Sequence, residues 1–102
     1  MKIEKPTKFI ESYLEHRLHP RISVEEITAL LPGIKDEGES GDGKVTHHWS
    51  FLADGRECAI WDYRGLRWSA YGPQYVLERL GLSIIGGLND ALRALELAKE
   101  VR

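Results

Sequence analysis

Cysteine is nearly absent from this chain of 102 residues: Cys58 stands alone, so no internal disulfide and no zinc site built on several thiolates can form. No apolar run approaches the roughly 18 residues that span a bilayer, and the charged start lacks the apolar stretch of a secretory signal. These absences predict a soluble, cytoplasmic protein without a membrane partner. A surplus of positive charge is missing too. Residues 1–32 carry five basic and five acidic side chains, residues 45–72 three of each and residues 73–102 four of each, so the net charge of −2 sits in residues 33–44. Nucleic-acid binding draws on a basic patch that releases counterions from phosphates, and nucleic acid is therefore a disfavoured partner.

What is present is the composition of one globular domain over residues 1–102, with 42% hydrophobic and 29% charged residues. Residues 6–18 read as a helix that opens at Pro6, has Phe9, Ile10, Tyr13, Leu14 and Leu18 on one stripe, and stops at His19-Pro20. Ser23-Val24-Glu25-Glu26 is a capping box for a second helix that ends at Pro32-Gly33. Residues 33–43 read as a flexible, acidic, glycine-rich loop. Its Asp36, Glu37, Glu39 and Asp42 offer hard oxygen ligands, yet their spacing fails the calcium-loop pattern, and no metal is expected.

Three strand-like runs follow, over residues 44–52, 56–63 and 66–72, separated by Asp54-Gly55 and Arg64-Gly65. Asp-Gly is a strong hairpin signal because a two-residue turn of that kind needs positive φ at both positions. Gly72-Pro73 then opens a helix to Leu80, and Gly86-Gly87 precedes a last amphipathic helix over residues 88–101. The expected fold is α+β, a three-stranded antiparallel meander with two N-terminal and two C-terminal helices in the order ααβββαα. Double-stranded-RNA-binding domains share the helix, meander, helix order, but the lysine-rich helix that grips phosphates has no counterpart here.

With two-residue turns, Phe51 pairs with Cys58, Trp49 with Ile60, His47 with Asp62 and Trp61 with Trp68. One face then holds Trp49, Phe51, Cys58, Ile60 and Tyr71, with His47, Asp62 and Arg67 gathered at one end. The other holds Leu52, Trp61, Tyr63, Leu66 and Trp68, with His48 beside Trp61. A bulged turn would exchange faces. Two apolar faces on one meander imply either helices on both sides or an open recognition surface. Trp61, Tyr63, Leu66, Trp68 and His48 are the expected binding residues, since Trp and Tyr concentrate interface energy. His47, Asp62 and Arg67 form a polar cluster on the face that also carries Cys58. A histidine steered by a carboxylate near a thiol is the pattern of an activated nucleophile, but Cys58 between Phe51 and Tyr71 is expected to be buried and inert. His47 and His48, being adjacent on a strand, point to opposite faces and cannot chelate one ion.

The stretch WSFLADGRECAIWDYRGLRWSAYG, residues 49–72, resembles the hairpin of short accessory proteins encoded by tailed bacteriophages, where a W-x-F strand leads through D-G into a strand ending in I-W/Y-D-Y/W-K/R-G. The likeness covers roughly a quarter of the chain and brings no catalytic or ligand residue with it. It implies a small protein that acts by binding a host factor. The function expected is thus a non-enzymatic binding module without cofactor, acting on a protein partner or on a second copy of itself. The alternatives are a nucleotide or nucleic-acid binder that stacks bases on aromatics, and a small enzyme built on the His47, Asp62 and Arg67 cluster.

Overall fold

A computed structural model describes residues 1–12, 14–19, 21–38, 41, 43–63 and 67–87. Its framework is a six-stranded antiparallel sheet. The strands are β1 (Ile3–Glu4), β2 (His16–Leu18), β3 (Val45–Ala53), β4 (Arg56–Tyr63), β5 (Arg67–Tyr71) and β6 (Ile84–Gly87), in the spatial order β1-β3-β4-β5-β2-β6. Two short helices, α1 (Val24–Leu30) and α2 (Gln74–Arg79), complete it.

This corrects the expected ααβββαα architecture. The three meander strands do form, but only as the middle of the larger sheet. The helix predicted over residues 6–18 is replaced by β2, which pairs His16 with Ala70 and Arg17 with Ser69 on the far side of β5. Local helix preference is worth little over so short a segment, whereas an unpaired β5 edge would leave its buried amides and carbonyls without partners. The supposed helical stripe is not one buried face: Ile10 is 2% exposed, Phe9 84% and Leu14 40%. Gly86-Gly87, read as the approach to a helix, belongs to β6 against β2. The helix predicted over residues 88–101 lies outside the described residues.

Local chemistry does specify several elements. Ser23 Oγ accepts from the Glu26 amide at 3.1 Å, as the capping box requires. Asp54 and Gly55 both have positive φ, 50° and 79°, and the first hairpin takes the register Phe51↔Cys58 and Trp49↔Ile60. The second hairpin differs. Tyr63 pairs with Arg67, leaving three residues between them where the two-residue form predicts Tyr63 opposite Leu66. Because side chains alternate along a strand, that single extra residue moves Trp68 opposite Asp62 and Ser69 opposite Trp61, exchanging the faces of β5.

The inner face carries Leu18, Trp49, Phe51, Ala53, Cys58, Ile60 and Ala70. Ile27 and Leu31 at α1, and Val76 and Leu77 from α2, close over it into one cluster. Full burial of an aliphatic side chain such as Ile27 or Leu77 contributes about 1.5–3 kcal/mol, which holds these short helices on the sheet. The outer face presents His48, Leu52, Trp61 and Tyr71 around the small residues Ser50, Ala59 and Ser69. The chain leaves β1 at one edge and returns as β2 beyond β5, so the described residues between them carry the chain across the sheet. Lys8, Phe9, Glu11 and Ser12 gather with Glu57 and Tyr71, which places this crossover on the outer face. Ile10 is buried yet stands apart from the inner cluster, consistent with an anchor for the crossover on that face.

Candidate functional site

Two arrangements at opposite ends of the sheet carry chemistry. The first grows from a β-bulge. Val45 pairs with Tyr63 and His48 with Trp61, so Thr46 and His47 together oppose Asp62. Their amides both point at the Asp62 carboxylate, and Oδ1 accepts from Thr46 at 2.9 Å and from His47 at 2.6 Å. Asp62, 4% exposed, is therefore spent on closing the bulge and does not steer the histidine ring.

The ring is steered by Asp36. His47 Nδ1 donates to Asp36 Oδ2 at 2.6 Å, while Asp36 Oδ1 accepts from the amides of Gly38 at 2.9 Å and His48 at 3.0 Å. The Glu37 amide donates to the His48 carbonyl at 2.7 Å, so residues 36–38 lie against β3. Burial alone would raise the Asp36 carboxyl. The hydrogen bonds from His47, His48 and Gly38, with the attraction of the imidazole, outweigh it and hold the carboxyl below its ordinary value. The His47 ring stacks on Trp49 at 5.9 Å and 12°, and lies 6.3 Å from Trp68. Trp68 in turn packs 5.9 Å from Trp49 and donates its indole N–H to the Ile22 carbonyl at 2.8 Å.

An imidazole fixed by a carboxylate on Nδ1, with no partner for Nε2 among the described residues, has the form of an oriented base or a metal ligand. Among the described residues neither use is completed nearby. Among the described residues no group of three histidine, cysteine or acidic side chains could hold a metal ion. Cys58 shares the inner face but lies two cross-strand pairs farther along, opposite Phe51. Burial pushes its thiol up to about 12; a backbone hydrogen bond with Ala53 opposes this and the charge of Glu15 adds to it.

The residues expected to act together are thus divided. Trp68 joins the inner face, while Trp61 is on the outer face with His48, whose ring lies 6.2 Å away and whose Nδ1 is 3.9 Å from Glu37 Oε1. Tyr63 and Arg67 are backbone register partners at the end of the second hairpin, and Leu66 lies outside the described residues. Of the cluster His47, Asp62 and Arg67, the first two meet through the His47 backbone and not through its ring. Asp36, the residue that does hold the ring, was missed as its partner. Its bond to the Gly38 amide two residues on is a local Asp-turn signal, but nothing local aims it at His47.

The second arrangement is concave. An open groove of about 660 Å³ runs between the crossover and the outer face, lined by Lys8, Phe9, Glu11, Ser12, Glu57 and Tyr71. It shares Glu57 and Tyr71 with a neighbouring hollow of about 410 Å³ that extends past Glu15, Arg56, Gly72 and Pro73. Gly72 is required there. It has φ +130°, and a Cβ on it would lie 2.7 Å from Cys58 Sγ. The Gly72 carbonyl accepts from Nε2 of the buried His16 at 2.9 Å, which ties β2 to the end of β5. Among the described residues no helix is long and apolar enough to cross a membrane. Compared with family models, with curated proteins and with solved structures, the chain matches none.

Proposed function

We propose that the protein is a binding module for another protein, and that the groove between the crossover and the outer end of β4 and β5 is its recognition surface. The observation that carries this is Phe9. It is 84% exposed beside Ile10 at 2%, so the crossover is pinned to the molecule while one large, exposed aromatic ring lines the groove that Tyr71 also lines. An exposed aromatic that lines a concavity is the kind of anchor that dominates interface energy. The hairpin resemblance to phage accessory proteins agrees with a small protein that works by capturing a host component. The oriented His47 lies at the other end of the sheet, away from both hollows, and a binding reading does not need it.

The test is affinity capture from the native cell extract with nuclease present, using the wild-type protein and Phe9→Ala. The substitution removes an exposed ring, so the melting temperature should stay within a degree or two while the captured protein is lost, since an aromatic anchor is worth about 2 kcal/mol or more. An identical set of captured proteins with both baits would refute the groove as the recognition surface.

A further inference from the structure

All four histidines lie among the described residues, and their hydrogen bonds fix which ring nitrogen keeps its lone pair. The Gly72 carbonyl can only accept, so Nε2 of His16 carries the proton, on a ring 3% exposed. The Arg21 amide donates to Nδ1 of His19, which occupies that lone pair and leaves the proton on Nε2. Among the described residues no hydrogen bond fixes the ring of His48, whose Nδ1 stands 3.9 Å from Glu37 Oε1.

His47 differs from all three. The Asp36 carboxyl, held below its ordinary value, is ionised at neutral pH and can only accept. Nδ1 therefore carries the proton, and in the neutral ring the lone pair lies on Nε2. That nitrogen has no partner among the described residues, where every buried side-chain nitrogen or oxygen has one, so it reaches solvent from a ring 32% exposed. Stacking on Trp49 holds the ring plane.

We propose that His47 Nε2 is an acyl-accepting nucleophile, with Asp36 as the positioning residue that fixes its tautomer. Nε2 attacks the acyl carbon of an activated donor, the bond from that carbon to the leaving oxygen breaks, and the leaving group departs with the bonding pair. The Nδ1 proton passes to Asp36 and on to water, which leaves a neutral N-acyl imidazole. Attack by water then releases the carboxylic acid and restores the ring. The donor class is uncharged. Asp36 holds the ring, Asp62 accepts from the His47 amide and Glu37 follows Asp36 in the chain, so a phosphoryl or other anionic donor would meet carboxylates of its own sign.

The probe is diethyl pyrocarbonate at about pH 8, above the ordinary imidazole value of about 6.5, with ethoxyformylation of each histidine followed by peptide mass spectrometry. His47 should be modified first. His19 is the more exposed of the two, so exposure alone predicts the reverse order. Asp36→Asn keeps an oxygen for the Gly38 and His48 amides and sets an amide N–H opposite Nδ1, which moves the ring proton to Nε2. Modification of His47 should then slow by about ten-fold or more. Imidazole nitrogen NMR shifts give a readout that a purely structural Asp36 would not move: Nδ1 protonated in the wild type, Nε2 in the variant. A wild-type His47 with its proton on Nε2, or His19 modified ahead of it, would overturn the proposal whether or not the variant folds. Wild-type reactivity of His47 in Asp36→Asn would overturn it as well, because the lone pair would then owe nothing to Asp36.

Discussion

Gly72→Ala is the substitution whose cost follows most directly from the structure. Gly72 ends β5 with φ +130°, a conformation that an alanine rarely adopts, and such backbone strain costs on the order of 1–3 kcal/mol. The new methyl would also lie 2.7 Å from Cys58 Sγ, 3.2 Å from the Glu57 carbonyl and 3.3 Å from Cys58 Cβ. Two of those atoms belong to a β-strand residue in the packed core, which cannot swing aside, and overpacking of this kind costs typically about 1–3 kcal/mol. Together the two effects remove about 2–6 kcal/mol, or at least ~8 °C of melting temperature for a domain of this size. Urea denaturation of the wild type, Gly72→Ala, Cys58→Ala and the double variant separates the contributions. Cys58→Ala deletes the sulfur that collides, so the double variant should be more stable than the sum of the single effects by about 1–2 kcal/mol, with the backbone strain remaining. Additivity within about 0.5 kcal/mol, or a Gly72→Ala protein that melts like wild type, would refute the packing of β5 against β4 described above.

Asp36 predicts a pH dependence. A carboxyl held below its ordinary value in the folded state contributes stability that is present above the unfolded value, near 4, and is lost as the pH falls through the lowered one. Asp36→Asn should flatten the stability profile in that acidic range, and an unchanged profile in urea melts would count against the Asp36–His47 pairing. Trp68 packs against the inner core and donates to Ile22, so Trp68→Ala should lower stability by about 3 kcal/mol, in contrast to a binding residue on an open face. A cooperative melt at the wild-type temperature would show that Trp68 is not structural.

Several features were legible in the sequence because neighbouring residues encode them. Ser23 and Glu26 lie three residues apart and make their bond within one turn of chain, and Asp54-Gly55 sets the first hairpin because the preference for positive φ resides in those two residues. The burial of Cys58 followed from that register. The second turn failed as a guide because Arg64-Gly65 contains one residue suited to positive φ, where a two-residue turn of this type needs two. One added residue then carried Trp68 away from Trp61 and onto the core. The polar cluster was partly legible: His47 and Asp62 do meet, but a bulge turned the meeting into a backbone contact and left the ring to Asp36.

By itself the sequence determined the composition of one small globular domain, the capped helix α1, and a central hairpin with its first register, all consequences of dihedral preferences and hydrogen bonds within a few residues. Only the tertiary structure decided that residues 16–18 pair with β5 and residues 84–87 with β2, because those pairings join segments more than fifty residues apart and are driven by unpaired strand edges that no local pattern displays. It likewise decided which face of the sheet the helices cover and which the crossover spans. That division created the groove beneath Phe9, whose lining residues come from three separated parts of the chain. Burial is a property of the assembled surface, so one aromatic of a supposed helical stripe became an exposed ring while its neighbour became an anchor.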